Sequence, residues 1–351
     1  MSQPLRVLSI STLFPNPARP AFGRFVASQM TGLAERGDVD LVMVNPIGVP
    51  PWPLSLGKAY AHLRAVPAES RAGALRVLHP RFTLIPRYGA ETNPRRIASA
   101  VLPLARALHA QAPFDLVDAQ FFFPDGPAAA AVARELGLPL SIKARGSDIH
   151  YWSTRPRALE QMLDASRQAG LLLAVSEALG RDMAALGMPE NRIRVHYTGL
   201  DTSTFRIVPR DQARARIAAP EALGLPADGP LVVTPGALIP IKGQRHAIEA
   251  MAQLPGVQLA LAGQGEDREA LAALAQGLGV AERVYFLGQV GHDLLPLLLS
   301  AADVVTLPSE REGLANAWIE ALACGTPLVI PDIGGARAGV PNTSVGPLAR
   351  R

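Results

Sequence analysis

A chain of 351 residues, 48% apolar and 18% charged, has material for two folded domains and is too apolar to be disordered. Its apolar runs are too short or too interrupted to span a bilayer, and the first of them, 5–14, reads as a β segment rather than a signal peptide. The net charge of +4 comes without an aromatic-interleaved basic run, which argues against nucleic acid and suits phosphate groups or an anionic membrane face.

Apolar strands alternate with amphipathic stretches from the start. Strands are expected at 5–10, 39–44, 116–119, 140–143, 171–175 and 193–197, with helices over 22–36, 95–111, 127–136, 156–168 and 177–186. A second alternation has strands at 231–235, 257–262, 284–287, 304–307 and 328–330, with helices over 244–253, 268–278, 293–300 and 314–324. This predicts an α/β chain of two Rossmann-like domains facing a central cleft. Residues 1–205 form the first and 230–351 the second, joined by a linker, 206–229, in which Pro209, Pro220 and Pro226 break the pattern. Ligands of such sheets bind outside the carboxyl ends of the strands, so the loops there hold the candidates.

The first of these loops, 11–23, is proline-rich and ends in Gly23, where backbone can approach a ligand at a helix start. Phe121 to Gly126 and Ala144-Arg145-Gly146-Ser147-Asp148 follow two further strands. Arg87, Arg95, Arg96 and Arg106 concentrate positive charge around the helix 95–111. Asp38-Val39-Asp40 has the form of a metal-binding D-x-D, but it sits where a helix hands over to a strand and reads as turn chemistry; no metal site is indicated. Cys324 is the only cysteine, which excludes an internal disulfide and fits a reducing, cytoplasmic compartment.

In the second domain, Gly236 ends a strand and Lys242 precedes a helix, so its ammonium can reach a leaving diphosphate. Gly263 and Gly265 form a turn after the next strand. The stretch 309–331 then runs from a strand, through Glu312 and a helix carrying Glu320, to Gly325 and Pro327, a helix stop. The first amides of that helix, around Leu314, Ala315, Asn316 and Ala317, suit a diphosphate. Glu320, roughly 6 Å beyond Asn316 at 1.5 Å per residue, suits a ribose, and Glu312 a sugar.

Glu312-Gly313, Glu320-Ala321 and Ala323-Cys324-Gly325-Thr326-Pro327 resemble the E-x7-E signature of the retaining glycosyltransferases of family 4. Phe14-Pro15 with 20–25, the Arg145–Asp148 loop, Tyr197–Asp201 with Phe205, and Gly236 with Lys242-Gly243 resemble further elements of that family, of its surface-polysaccharide type. The resemblance implies a GT-B fold and transfer of a hexosyl group from a nucleotide diphosphate sugar to a glycan or lipid-linked hydroxyl, with no metal or other cofactor. It implies that Glu312 holds the donor sugar and that Lys242, with Gly236, Gly263, Gly265 and the 314–317 amides, surrounds the diphosphate. Asp148, Arg145, Gly146 and Gly126 would then line the acceptor side, and the enzyme would be cytoplasmic or peripheral on the inner membrane face. Arg145 stands where the family has His, and Ala237 where it has Arg. No strand or helix is expected in 338–351, so the second domain reads as truncated, and the alternative is an inactive nucleotide-sugar-binding product.

Overall fold

The computed structural model describes residues 3–86, 89–339 and 348–349, and they form two compact units divided between Tyr197 and Thr198. Arg87 lies outside the described residues.

The strands of the first unit are β1 Leu5–Ile10, β2 Val39–Val44, β3 Ile47–Val49, β4 Glu69–Ala72, β5 Leu75–Leu78, β6 Arg81–Thr83, β7 Leu116–Ala119, β8 Leu140–Ala144, β9 Leu171–Ala174 and β10 Ile193–Val195. Eight of them form a sheet in the order β10-β9-β8-β7-β1-β2-β5-β4, parallel except for β4, which pairs antiparallel with β5 at the edge. β3 and β6 make a separate parallel pair. Residues 41–44 of β2 and the whole of β9 are continuous apolar runs, as expected where helices cover both faces of a parallel sheet; Met43, Val44 and Leu172 are fully buried.

Everything in 45–92 is an addition to the expected pattern: β3 to β6 and the helix Lys58–Arg64. Short strands between Pro46, Pro50, Pro51, Pro53, Pro67, Pro80 and Pro86 give periodicity too little length to register.

The second unit has β11 Leu231–Pro235, β12 Gln258–Ala262, β13 Val284–Gly288, β14 Val304–Thr306, β15 Leu328–Pro331 and β16 Leu348–Ala349, all parallel in the order β13-β12-β11-β14-β15-β16. β16 corrects the expectation of a strandless tail: two residues return to extend the sheet beside Ile330 and Pro331. A helical turn, Ala336–Gly339, precedes it, and residues 340–347, 350 and 351 lie outside the described residues.

The expected linker also holds structure. The helix Arg210–Ala218 lies in the second unit, with Pro209 at its start and Ala213 and Ile217 buried. Arg214, almost buried, donates to Asp303 Oδ2 at 2.8 Å, and to the carbonyls of Gly229 at 2.8 Å and Ala301 at 2.5 Å. Asp303 Oδ2 also accepts the Leu231 amide at 2.8 Å, so one carboxylate ties this helix to the starts of β11 and β14. The prolines bound the helix instead of dissolving the segment. Arg214→Met should cost the second unit about 2 kcal/mol by leaving these acceptors unpaired. Denaturant titration checks it, with the midpoint falling and the slope unchanged.

Among the described residues no helix is long and apolar enough to cross a membrane.

Candidate active site

In the second unit the chain runs from β11 through β12 to β13 at one side of the sheet, then returns to build β14, β15 and β16 on the other. The order therefore reverses between β11 and β14, and a crevice opens at such a switch point, outside the carboxyl ends of the strands. The loops leaving those two strands carry Lys242 and Glu312. The Glu310 amide donates to Ile241 O at 2.8 Å, lacing one loop to the other. Gly243 has φ of 68°, and a Cβ there would stand 2.1 Å from Pro308 O, so only glycine permits this approach.

Lys242 and Glu312 meet as an ion pair across this point: the ammonium donates to Glu312 Oε1, which also accepts Ser309 Oγ at 2.8 Å. The side chains are 23% and 11% exposed, enough for a ligand to reach them and too little for water to screen the pair fully. Ser309 is fully buried and fixes the carboxylate from behind. Sequence reasoning assigned Lys242 and Glu312 to neighbouring groups of one ligand but did not see them paired.

The remaining candidates of this unit lie on the loops that follow β11, β12 and β14 and on the helix after β14. The Gly236 amide donates to Ala262 O, and the Leu238 amide to Gln264 O, both at 3.0 Å. A Cβ on Gly263 would lie 1.8 Å from Gly236 O, and one on Gly265 2.0 Å from Leu238 O. These two glycines thus admit the 236–238 backbone, and their role is to let two loops close on each other. Gly334, φ 48°, does the same for Glu312 O at 1.8 Å from its would-be Cβ.

The signature helix is Asn316–Ala323, two residues shorter at its start than expected. Ala315 keeps an extended backbone, so it and Leu314, both buried, lead into the helix from outside it. Trp318 N bonds Ala315 O at 3.1 Å, and the amides of Asn316 and Ala317 precede the first intrahelical bond. One turn further on, burial alone pushes the Glu320 carboxyl up to about 7.

In the first unit the strand ends cover a buried polar network. Asp118 accepts Ser9 Oγ at 2.8 Å, Ser141 Oγ at 2.6 Å and Gln120 Nε2 at 2.6 Å. Gln120 in turn takes Arg145 through its carbonyl, from Nε at 3.0 Å, and its side chain, from Nη2 at 2.5 Å. The guanidinium lies 5.3 Å from the Phe25 ring centre, and burial lowers it to about 10, so it stays charged at neutral pH.

Asp148 is fully buried and accepts four amides: Phe122 at 2.7 Å, Gly146 at 2.8 Å, Arg145 at 2.9 Å and Ile149 at 3.1 Å. Burial raises its pKa against the pull of those amides. Its carboxylate shapes the loop that carries Arg145 and Gly146, and is not presented outward as the acceptor-side reading required. Gly126 also turns inward: it lies in the helix Asp125–Leu136, packed 3.2 Å from Ile142 by its would-be Cβ. Gly23 ends the loop after β1 at φ 69°, where a Cβ would stand 2.6 Å from Leu13 O, so it makes a chain reversal at the start of the helix Arg24–Ala34.

Three ionisable residues here escaped sequence reasoning. Asp125, fully buried at the first turn of its helix, accepts Thr12 N and Thr12 Oγ1 at 2.8 Å and is pushed up to about 7 by burial. Lys143, fully buried in β8, donates to His196 Nδ1 at 2.8 Å and Gln29 Oε1 at 3.2 Å; burial lowers it to about 7. An ammonium donating to Nδ1 leaves His196 neutral, with its proton on Nε2, and burial lowers the imidazole's pKa further. The signal for Lys143 was a cation between the apolar Ile142 and Ala144 of a strand.

Two other elements resolve as local structure. Asp38 pairs with Arg36 and Asp40 with Arg6 at the amino end of β2, away from these loops. Asp201 accepts Ser203 N, Ser203 Oγ and Thr204 Oγ1, which holds its pKa down at about 2 and turns the chain toward buried Phe205.

Two family descriptions match the chain: "Glycosyltransferase Family 4" over residues 22–204 and "Glycosyl transferases group 1" over 216–349. A putative teichuronic acid biosynthesis glycosyltransferase, TuaC of Bacillus subtilis, is 28% identical over 94% of this chain and 82% of its own length. D-inositol 3-phosphate glycosyltransferase of Mycobacterium tuberculosis is 36% identical over 54% of this chain and 39% of its own. Among solved structures, sucrose-phosphate synthase of Thermosynechococcus elongatus superposes with a TM-score of 0.74 at 22% identity, covering 95% of this chain and 83% of that one. HepE of Anabaena, in complex with UDP and glucose, gives 0.69 at 21% identity over 95% and 82%. The α/β fold is that of the GT-B glycosyltransferases, and the chain belongs to glycosyltransferase family 4.

Proposed function

We propose that this glycosyltransferase moves a hexosyl group from a nucleotide diphosphate sugar to a hydroxyl of a polysaccharide or lipid-linked acceptor, with retention and without a metal. The observation that carries the reading is the Lys242–Glu312 pair at the β11/β14 switch point, beside the first amides of the helix Asn316–Ala323. A cation, an anion and unpaired helix amides in that order match a leaving diphosphate, the hydroxyls of the transferred sugar, and the diphosphate again. On binding, the diphosphate takes Lys242 from Glu312, and the freed carboxylate accepts the sugar hydroxyls. Glu320, one turn along, receives the ribose hydroxyls. Charge then builds on the leaving phosphate as the glycosidic bond breaks, where Lys242 and the amides of Asn316 and Ala317 stabilise it. As the resemblance to the retaining enzymes implies, the acceptor hydroxyl attacks from the leaving-group face and gives its proton to the departing phosphate. HepE, whose fold this chain shares, is known with UDP, with UDP-glucose, and with UDP and glucose, which supports a UDP-sugar as the first donor to try.

The test is nucleotide release from a panel of UDP- and GDP-sugars. Glu312→Gln should lower it at least about tenfold while nucleotide diphosphate binding persists. Unchanged release would remove Glu312 from the reaction. Donor binding without turnover in the parent chain would reassign it as a nucleotide-sugar-binding protein.

A further inference from the structure

The short turn Leu54–Leu56 is inverted relative to a soluble surface. Its serine, Ser55, is 4% exposed, whereas Leu54 and Leu56 on either side are 57% and 58% exposed and Trp52 just before them is 77% exposed. Ile85, another exposed apolar residue, belongs to the same corner, because the Leu84 amide bonds Val49 O at 3.0 Å and so brings the exits of β3 and β6 together. The turn is held in shape by its own bonds, Ser55 N to Pro51 O at 3.2 Å and Leu56 N to Pro53 O at 3.0 Å. Beneath it Ile47, Leu63 and Val66 form a small core that anchors the loop to the helix Lys58–Arg64. Scattered exposed leucines are ordinary; a tryptophan and two leucines turned out together around a buried serine are not.

The stretch that builds this corner is rich in cations. Residues 41–90 contain six Lys or Arg and a single acid, Glu69, so this stretch alone carries a formal +5 against +4 for the whole chain. Glu69 is already paired with Arg76. Arg64 and Arg81 stay exposed, and Arg81 ties β6 to the helix end through Arg64 O at 2.7 Å and Val66 O at 2.9 Å. Exposed apolar side chains, one of them an indole, on a stretch rich in cations whose one acid is already paired suit one kind of surface, the headgroup boundary of an anionic bilayer.

We propose that Trp52, Leu54 and Leu56, with Ile85 beside them, dock the chain onto anionic lipid. The side chains enter the interface while Arg64 and Arg81 meet the headgroups, and no spanning segment is involved. The inference stands on this corner alone and is independent of the sugar-transfer reading.

Co-sedimentation of the full chain with vesicles tests it, without donor or acceptor, so its failure leaves sugar transfer untouched. The parent should bind phosphatidylcholine vesicles containing about one third phosphatidylglycerol, and lose binding as salt rises. Binding to phosphatidylcholine alone should be at least about tenfold weaker. The triple variant Trp52→Ser, Leu54→Ser, Leu56→Ser should lose at least about tenfold in vesicle affinity with its thermal midpoint unchanged, since all three side chains are exposed. Of the three tryptophans, Trp318 is fully buried and Trp152 is packed between Phe123 and Tyr151, so a blue shift on vesicle addition should vanish in Trp52→Phe while binding remains. Equal binding by parent and triple variant would overturn the proposal, as would equal binding to neutral vesicles. A concentration-dependent dimer that the triple variant abolishes, without vesicle binding, would give the surface to a second copy instead.

Discussion

Lys242→Met should lower kcat by about 10²–10³-fold and change the affinity for the nucleotide sugar far less, because the lysine matters most when charge develops on the leaving phosphate. Its position is overdetermined. The turn Pro240–Lys242 ends at Gly243, whose left-handed backbone lies against Pro308 O, and the Glu310 amide is tied to Ile241 O. A group held this firmly before the reaction needs no reorganisation during it, which is where electrostatic catalysis gains most. Where the resemblance to family 4 implies an arginine, this chain has Ala237, whose carbonyl accepts Gln244 Nε2 at 2.8 Å. No cation stands at that position, so the loss on removing Lys242 should be toward the upper end of the range. The pairing with Glu312 gives a second readout. Lys242→Met leaves a largely buried carboxylate with Ser309 as its partner, while Glu312→Gln leaves an ammonium against an amide. The double variant should therefore lose less than the product of the two single losses, as for residues acting as one unit. Losses that multiply would mean that the two groups act on separate steps. A Lys242→Met enzyme with parental kcat would remove the lysine from the leaving-group role.

The alternation of strands and helices was legible because a parallel sheet covered on both faces writes itself as apolar segments, as at 41–44 in β2, at β9 and at 259–262 in β12. The loops at the strand ends followed from that order alone, and with them the positions of Glu312, Lys242, Arg145 and Gly146. What was not legible is where each side chain points. Asp148 and Asp125 have the composition of acid–base candidates, yet both are turned inward onto backbone amides. Residue type does not distinguish a carboxylate that shapes a loop from one that meets a ligand. Gly263 and Gly265 are expected around the diphosphate from their turn, and the pattern does not tell that their missing side chains admit the 236–238 backbone. The pairing of Lys242 with Glu312 spans 70 residues and depends on the sheet reversing between β11 and β14, which no local pattern encodes. The exposed turn at Trp52 was lost for the opposite reason: prolines on both sides hide it from any periodicity.

Glu320 carries the second large effect, and it should appear as a dependence on pH. Burial raises its carboxyl from 4.5 to about 7 in the folded chain. Between those two values the folded state holds a proton that the unfolded chain has released, so stability falls as pH rises through this window. The full penalty, about 3 kcal/mol, is in force above pH 7 and absent below about pH 4.5. Glu320→Gln removes it, and the variant's second unit should melt roughly 5–10 °C above the parent at pH 8 and alongside it near pH 4.5. A side chain that destabilises the resting protein calls for a compensating use, and the ribose is the one its place on the helix suggests. Two hydroxyls donating to the carboxylate favour its charged form, so nucleotide diphosphate binding should tighten as pH rises from 6 to 8, with release of a proton in the lower half of that range. In Glu320→Gln the binding should be weaker and flat across the same range. Differential scanning calorimetry and titration calorimetry in buffers of different ionisation enthalpy read the two halves separately. If parent and variant melt in parallel from pH 5 to 8, the carboxyl is not strained by burial; if they diverge in melting and binding stays identical, Glu320 is strained for some purpose other than the donor.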